Sequence, residues 1–256
     1  MSKNDCLVQC GFCFRKSKLP ENVTELSYDE IDAALEYFRD KKELWEIIFT
    51  GGEPLATDLN KLKYIFFELN KIDHIKLVRI HSRAVLVNPD IFNSKLIDTL
   101  KVCNKPLYLV IHCNHPDEID SLVSSKLNLL ADSGIVLLDQ TALLSGVNDS
   151  SEILESLFRK LVENRVKPYY LHHCDLVHGT SHFRTSIKEG QDLLKGIRGH
   201  VSGICWPTYV LDIPGGYGKV PLGPIYYEKN ECGNTIIMDY KGNLHDYPDS
   251  DNNIEF

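Results

Sequence analysis

Short apolar segments rich in β-branched residues alternate along this chain with amphipathic stretches, and one such pair recurs about every 30 residues. Alternating period-2 and period-3.6 patterns of this kind predict strands and helices in turn. We predict strands at 45–49, 77–81, 107–112, 136–140, 168–172 and 205–211, and helices at about 28–41, 59–69, 89–100, 116–132, 151–164 and 187–198. A helix between successive strands favours a parallel sheet covered by helices, so the predicted fold class is α/β.

Polar residues follow the carboxyl ends of most of the predicted strands. These clusters occupy residues 50–53, 81–83, 112–115, 139–141 and 172–175. No G-x-G-x-x-G motif follows a strand, which disfavours an open dinucleotide-binding sheet. Parallel barrels carry their sites at the carboxyl ends of the strands, so the pattern favours a barrel with its site at one mouth. The tail 235–247 predicts a hairpin that turns at Lys241-Gly242.

The composition excludes several classes of protein. The chain has 256 residues with 28 basic and 36 acidic side chains, a net charge of −8, and no basic block of the kind that binds phosphate backbones. No apolar run reaches the roughly 20 residues of a membrane span, and the polar start lacks the pattern of a secretory signal. We therefore expect a cytoplasmic protein without a nucleic-acid or membrane partner. In that compartment, clustered cysteines indicate metal binding or catalysis rather than disulfides.

Three of the eight cysteines stand together as Cys6-x3-Cys10-x2-Cys13. Thiolates in one short loop are typical ligands of an iron–sulfur cluster. Three ligands leave one iron of a [4Fe–4S] cluster open for a cofactor or substrate, whereas a structural zinc ion usually takes four ligands. A zinc site and three incidental cysteines are the weaker alternatives. The other five cysteines are scattered, and we interpret them as buried or partly buried apolar side chains.

A glycine-rich segment at 212–221 contains Lys219. Three glycines before a lysine are also typical of a phosphate-binding loop, but Val220 stands where that motif needs Ser or Thr. A solvated surface lysine is one interpretation. The other is an amine on a flexible glycine loop that carries pyridoxal phosphate (PLP) as a Schiff base, because burial lowers the pKa of a lysine and makes it nucleophilic. PLP supplies an electron sink that protein side chains lack.

Taken together, these motifs resemble the lysine 2,3-aminomutase family of the radical S-adenosylmethionine (SAM) superfamily. The matching segments follow one another along the chain at 6–15, 49–52, 79–83, 112–116, 147–149, 168–171, 175, 179, 182–185, 202–203 and 212–221. The resemblance implies a partial (β/α)6-type parallel barrel in which Cys6, Cys10 and Cys13 hold a [4Fe–4S] cluster. It also implies that the open iron binds SAM, from which one electron releases a 5′-deoxyadenosyl radical.

The resemblance implies roles for further residues. The residues expected to line the SAM site are Gly51, Gly52, Glu53, His81, Asn114 and Gln140. The first three match the family's glycine-rich strand end, where glycine permits a close approach, and the others are placed there by their location. Lys219 matches the lysine that binds PLP, and Arg15 matches the arginine that pairs with the substrate carboxylate. Asp175 and Asp212 match a carboxylate pair that holds a distal ammonium group.

The reaction implied by the resemblance moves the α-amino group of L-lysine to the β-carbon and regenerates SAM. Relatives that act on glutamate lack the acidic pair, so a cationic small-molecule substrate is expected here. Arginine or another cationic amino acid is the alternative substrate. A one-electron reductant of the flavodoxin or ferredoxin type and assembly into a homo-oligomer complete the expected partners.

The resemblance to the family is incomplete at the two ends of the chain. Five residues precede Cys6, so we expect the first barrel strand, with basic residues that help to hold the PLP phosphate, to be truncated, missing or supplied by another chain. A non-catalytic scaffold that binds the cluster and SAM is therefore an alternative to an active enzyme. Ser150 and a lone Cys232 predict no structural zinc site. We expect residues 1–200 to form the partial barrel, and residues 201–256 to carry the PLP lysine and the hairpin, packed on the same domain.

Overall fold

The computed structural model describes residues 6–13, 15, 25–229 and 235–247. Phe14, which belongs to the family resemblance, and Cys232, which bears on the expected absence of zinc, lie outside the described residues. Within the described ranges, no helix is both long enough and apolar enough to cross a membrane.

In the described part of the chain, a seven-stranded sheet forms the centre of the fold, and its strands lie side by side in chain order. They are β1 (Glu46–Phe49), β2 (Leu77–Ser82), β3 (Leu107–Ile111), β4 (Val136–Ala142), β5 (Val166–His172), β6 (Thr208–Asp212) and β7 (Lys219–Gly223). Strands β1 to β6 are parallel, and β7 runs antiparallel to β6. Each crossover moves one strand further in the same direction, as in a barrel. Among the described residues, β1 and β7 are the two edges of the sheet, so the sheet does not close into a full barrel. The predicted α/β class and partial barrel are confirmed.

Helices connect the strands and cover one face of the sheet. They are α1 (Tyr28–Asp40), α2 (Leu59–Asn70), α3 (Ala84–Val87), α4 (Ser94–Leu100), α5 (Ser121–Asp132), α6 (Ser151–Glu163) and α7 (Ile187–Ile197). Ser27 and Ser186 each form a capping box with the glutamate three residues later. Asp58, Asp120 and Ser150 also accept hydrogen bonds from first-turn N–H groups, which have no partner inside their own helix.

The strand β2 shows how the two faces of the sheet differ. Val78 and Ile80 are buried, whereas Arg79 and His81, which alternate with them, are partly exposed. Successive side chains of a strand point to opposite faces, so the first pair packs toward the helices and the second lies on the opposite face. Right-handed crossovers that all progress in one direction place the helices on one side. We call the side that carries Arg79 and His81 the inner face.

Two predicted helices begin later than their sequence pattern suggests. Pro89–Ile91 and Pro116–Glu118 are single 3₁₀ turns, and α4 and α5 start after them. The side chains of Asn93 and Asp120 accept hydrogen bonds from the first N–H groups of α4 and α5, so a new helix starts at each position. The strand expected at 205–211 likewise begins at Thr208, because the preceding residues form another 3₁₀ turn.

The glycine-rich segment forms the turn of a hairpin between β6 and β7. Asp212 ends β6, Lys219 begins β7, and the register pairs these two residues. The N–H of Ile213 donates to the carbonyl of Gly218 at 2.9 Å. Gly218 has a φ of 92°, a conformation that favours glycine. Lys219 therefore lies on a paired strand rather than on the flexible loop that its glycines suggest.

A second, three-stranded antiparallel sheet follows in the described residues. It contains β8 (Tyr227–Lys229), β9 (Thr235–Met238) and β10 (Leu244–Tyr247), in the order β10-β9-β8. The pairing of β9 with β10 confirms the hairpin predicted at 235–247. Gly242 stands in its turn with a φ of 84°. The division of the chain at residue 200 stays a prediction.

Candidate active site

Polar side chains from several strand ends meet on the inner face of the sheet. The ring centroids of His81, on β2, and His112, directly after β3, lie 5.8 Å apart. His172, at the end of β5, places its Nδ1 3.3 Å from Oδ2 of Asp212 at the end of β6. Parallel strands end at the same edge of a sheet, so residues that are far apart in sequence come together there. The structure thus shows the convergence that the polar strand ends predict.

Cys10, Arg83, Glu118 and Asn114 form a chain of contacts that we call the cysteine-side cluster. Arg83 donates from Nη1 to Sγ of Cys10 at 3.1 Å and from Nη2 to Oε2 of Glu118 at 2.5 Å. The other oxygen of Glu118 accepts from the N–H of Asn114 at 2.7 Å and from the N–H of the next residue at 3.0 Å. Hydrogen bonds between charged groups are stronger than neutral ones. One guanidinium therefore joins a predicted cluster ligand to the loop after β3.

The same loop is also held from the end of β4. Oδ1 of Asn114 accepts from the N–H of Ala142 at 2.8 Å. The buried side chain of Asn148 donates to the carbonyls of Asn114 and Ala142, both at 2.8 Å, and accepts from the N–H of Leu144 at 2.8 Å. Nδ2 of Asn114 is buried and has no hydrogen-bond partner among the described residues. A buried donor normally finds a partner, so this amide is suited to a bound ligand.

Glu53 connects the loop after β1 to the end of β2. The side chain is buried, with Oε1 accepting from the N–H of Leu55 at 3.1 Å and Oε2 from the N–H of Arg83 at 3.0 Å. Burial raises the pKa of its carboxyl, and hydrogen bonds from neighbouring residues partly oppose this. Gly51 has a φ of 138°, which few other residues adopt. The structure shows Glu53 shaping this loop, and contact of Gly51, Gly52 or Glu53 with SAM stays a prediction.

Asp175, Asp212, Lys219 and His172 form a second group, which we call the lysine-side cluster. Nζ of Lys219 lies 2.6 Å and 2.7 Å from the two carboxylate oxygens of Asp212. The side chains are 39% and 37% exposed, so both groups are accessible from solvent. Asp212 therefore binds an alkylammonium group with both of its oxygens, and His172 contacts the same carboxylate.

The charges of this ion pair change the pKa of Asp175. Burial raises the pKa of the Asp175 carboxyl, the negative charge of Asp212 raises it further, and the positive charge of Lys219 lowers it. Two neighbouring carboxylates repel each other, and a cation near both relieves that repulsion. The two aspartates that the family resemblance assigns to a distal ammonium group thus lie within electrostatic range of each other.

The histidines of the inner face are neutral at physiological pH. Burial lowers the pKa of His81 to about 4, that of His112 to about 3 and that of His172 to about 4. Positive charges that include Lys219 and Arg15 also lower the pKa of His81, so these cations lie near this face. Nε2 of His81 and Nε2 of His172 are buried without a hydrogen-bond partner among the described residues. A neutral imidazole can offer such a nitrogen to a ligand as donor or acceptor.

The middle of β4 carries a buried carboxyl group. Asp139 is fully buried, its Oδ1 accepts from the N–H of Cys113 at 2.8 Å, and the hydroxyl of Thr141 lies 2.6 Å from its Oδ2. Burial raises the pKa of Asp139 to about 8, so the group holds its proton at neutral pH. Gln140 is also buried, and the register with β5 shifts between these two residues. Irregular pairing of this kind changes the direction in which a side chain points. The position of Gln140 beside SAM stays a prediction.

The side chains present suit the cofactors that the resemblance implies. Cys6, Cys10 and Cys13 are partly exposed, and the N–H of Cys13 donates to the carbonyl of Cys10 at 3.1 Å within one turn. In the described ranges, no three His, Cys, Asp or Glu side chains surround a single metal ion. An iron–sulfur cluster instead takes thiolates on separate irons, so its ligands need not meet at one point. The unpaired amide of Asn114 and the accessible amine of Lys219 are suited to SAM and to PLP, respectively.

Sequence reasoning placed Asp139 in a polar cluster without giving it a role, and it missed Glu118 and the contact between His172 and Asp212. The signal for Glu118 is its spacing from His115, since the two form a capping box in which an imidazole replaces the usual Ser or Thr. Asp139 lies in the middle of β4 and His172 ends β5, but their sequence surroundings do not say which neighbours they meet.

Comparison with known proteins places the chain among related sequences. Residues 3–158 match the family model described as the radical SAM superfamily, and residues 194–255 match the model described as lysine-2,3-aminomutase. L-lysine 2,3-aminomutase of Methanococcus maripaludis is 38% identical over 243 residues, which cover 95% of this chain and 56% of that protein. L-lysine 2,3-aminomutase of Clostridium subterminale is 37% identical over 242 residues, which cover 94% of this chain and 58% of that protein. The chain thus spans somewhat more than half the length of these relatives.

A solved structure shares the fold. A radical SAM methyltransferase from Sphaerobacter thermophilus superimposes with a TM-score of 0.57 at 16% identity, over 81% of this chain and 63% of that one. At this level of identity the likeness concerns the arrangement of strands and helices alone.

Proposed function

Because this chain belongs to the radical SAM superfamily and is similar to L-lysine 2,3-aminomutases, we propose that it converts L-lysine to β-lysine by moving the α-amino group to the β-carbon. The observation that carries the choice of substrate is the ion pair between Lys219 and Asp212. Asp212 holds an alkylammonium group with both oxygens, and Asp175 adds a second carboxyl beside it. A site built in this way is suited to the distal ammonium of lysine.

Cys6, Cys10 and Cys13 are assigned to a [4Fe–4S] cluster, and the strand ends are assigned to SAM. When bound together, these cofactors would supply the radical chemistry that removes hydrogen from the substrate. The side chains and loop assigned to SAM are Gly51, Gly52, Glu53, His81, Asn114 and Gln140. The buried amide of Asn114 and the buried Nε2 of His81 support this assignment, because both lack partners among the described residues.

Lys219 is assigned to PLP, which when bound stabilises an unpaired electron beside the migrating nitrogen. Its ammonium group is held by Asp212 in this structure and has to leave that carboxylate before the amine can react with an aldehyde. The same movement frees both oxygens of Asp212 for the ammonium of the substrate.

The remaining side chains orient the substrate. Arg15 is assigned to its α-carboxylate, for which a planar guanidinium provides two parallel donors. Nδ1 of neutral His172 lies 3.3 Å from Oδ2 of Asp212, so the imidazole helps to hold that carboxylate in place. Because the imidazole is uncharged, it leaves the negative charge of Asp212 available for the substrate ammonium.

The proposal also covers the electron donor, the compartment and the partners of the protein. A cluster that cleaves SAM needs a one-electron donor, and a small reductant of the flavodoxin or ferredoxin type would meet this need in the cytoplasm. We also expect a homo-oligomer and neither nucleic acid nor membrane as a partner. Co-purification with the reductant and the mass of the assembly in solution test these expectations.

The test of the activity is anaerobic incubation of the reconstituted protein with dithionite, SAM, PLP and L-lysine, followed by amino-acid analysis. β-Lysine is the expected product. Parallel incubation with L-arginine separates the two cationic substrates, and conversion of arginine alone would refute lysine as substrate. 5′-Deoxyadenosine without any β-amino acid would contradict the substrate assignment. Neither product from a protein with a full cluster would favour the non-catalytic scaffold.

The PLP assignment has a test of its own. Borohydride reduction after PLP loading should attach the cofactor to wild-type protein, and Lys219→Ala should lose that mass increment because it lacks the assigned amine. Lys188→Ala is the matched control, since it removes a lysine from another Lys–Asp pair, with Asp192 on α7. Mass spectrometry of the intact protein and its peptides measures the label. Equal labelling of Lys219→Ala and wild type would place PLP on another lysine.

A further inference from the structure

The side chain of Arg83 lies at the centre of the cysteine-side cluster, and the reaction proposed above assigns it no role. Its backbone N–H donates to Oε2 of Glu53 at 3.0 Å, which links it to the loop after β1. Its guanidinium carbon lies 5.5 Å from the ring centroid of Phe12, inside the cysteine turn. The hydrogen bonds to Cys10 and Glu118 complete its contacts with that region. Arg83 is therefore held against the cysteine turn from several directions.

Neighbouring groups hold the guanidinium in one orientation. Its Nη2 is fixed by Glu118, and Glu118 is itself fixed by two backbone N–H groups at the end of β3. A planar guanidinium has a rigid fork of donors, so fixing one nitrogen directs the other. The second nitrogen, Nη1, is the one that lies 3.1 Å from Sγ of Cys10.

A hydrogen bond to a cluster sulfur alters the energy of the reduced cluster. Reduction adds one electron from an external donor, and no protein bond forms or breaks in that step. The added negative charge is shared with the coordinating sulfurs, so a positively charged donor stabilises the reduced state more than the oxidised state. Hydrogen bonds to the sulfurs are one of the factors that set the potential of iron–sulfur clusters.

We propose that Arg83 is a positioning residue that donates from Nη1 to the sulfur of Cys10 in the loaded protein and thereby raises the reduction potential of the cluster. The inference rests on the proposed cluster at the cysteine triplet. It assigns Glu118 the task of holding the guanidinium in place. Because Glu118 also binds the N–H of Asn114, the loop assigned to SAM and the cysteine turn share one anchor.

The experiment compares the midpoint potential of the cluster in four reconstituted proteins without SAM. These are the wild type, Arg83→Gln, Arg83→Lys and Arg39→Gln, each checked for iron and sulfide content. Arg39→Gln removes the same charge from a salt bridge with Glu68 outside the site and serves as the matched control. A dithionite titration with redox mediators, followed by electron paramagnetic resonance of the reduced cluster, gives the potential.

We expect the potential of Arg83→Gln to shift to a more negative value, that of Arg83→Lys to shift less, and that of Arg39→Gln to equal wild type. A wild-type potential in Arg83→Gln with a full cluster would overturn the inference. If Arg83→Gln assembles no cluster, the potential of Arg83→Lys provides the test. A lysine ammonium lacks the planar fork of donors that joins Cys10 to Glu118, so its potential should still differ from wild type. A wild-type potential in Arg83→Lys would then overturn it. If the wild type itself assembled no cluster, the assignment of the three cysteines would be wrong. That outcome differs from one in which all proteins hold a cluster and only their potentials are compared.

Discussion

The buried carboxyl of Asp139 should make folding stability depend on pH. Replacement by asparagine is a conservative perturbation, since the amide oxygen can still accept from the N–H of Cys113 and the amide nitrogen can donate to the hydroxyl of Thr141. The change removes the titration of a group that is fully buried and has no cation within hydrogen-bonding distance among the described residues. The comparison therefore isolates the free energy of ionising one buried carboxyl.

The sign of the effect follows from the raised pKa. The unfolded carboxyl loses its proton near its ordinary pKa of 3.8, whereas burial keeps it protonated in the folded protein up to a pKa of about 8. Between these values the folded state binds more protons than the unfolded state, so the stabilising contribution present at low pH is lost as pH rises. Each pH unit in this interval corresponds to about 1.4 kcal/mol. From pH 5 to pH 7 the wild type should therefore lose about 3 kcal/mol relative to Asp139→Asn.

Urea unfolding of the cluster-free proteins at pH 5, 6 and 7 under reducing conditions, followed by far-ultraviolet circular dichroism, measures this difference. Asp132→Asn is the control, because that aspartate is exposed at the end of α5 and should leave the pH dependence parallel to wild type. Parallel curves for wild type and Asp139→Asn would refute the reasoning. They would mean that the native protein holds Asp139 as a carboxylate.

Two further variants test the packing around the site. Asn148→Ala removes three buried hydrogen bonds across the ends of β3 and β4, at about 1 kcal/mol each, and should lower the urea midpoint by an amount equivalent to about 3 kcal/mol. An unchanged midpoint would mean that the loop rearranges without cost. Gly190→Ala would place a Cβ 2.1 Å from Oη of Tyr209, and overpacking of this kind should cost about 1–3 kcal/mol in thermal or urea unfolding. The Cβ that Gly203→Ala adds has no atom within 4 Å, so this control should leave stability within about 0.5 kcal/mol of wild type. Equal stability of Gly190→Ala and Gly203→Ala would contradict the clash with Tyr209.

Local features of the chain were predictable from sequence because neighbouring residues specify them. The alternation of strand and helix patterns predicted β1 to β6 in order, with errors at the ends of elements. Those errors arose where Asn93 and Asp120 start a new helix after a proline turn. The spacing of Cys6, Cys10 and Cys13 likewise lies within one short segment. The family resemblance added Asp175 and Asp212, and the charge of Asp212 raises the pKa of Asp175 in the structure.

The hairpin between β6 and β7 shows the limit of local patterns. Its glycines indicated a flexible loop around Lys219, and their positive φ angles do permit the turn. What places Lys219 on a strand is backbone pairing with β6, which depends on the register of two segments. That register sets Lys219 opposite Asp212 and creates the ion pair of the lysine-side cluster.

By itself, the sequence determined the α/β class, the order of the strands, and the cysteine and glycine motifs, because periodicity and short spacing reside in neighbouring residues. Only the tertiary structure decided which distant side chains meet. Arg83 reaches both Cys10 and Glu118, and His172 reaches Asp212, because parallel strands bring their carboxyl ends to one edge. The partners there depend on strand register and on the direction of each side chain, and the burial that shifts the pKa of Asp139 arises only when the whole sheet is packed.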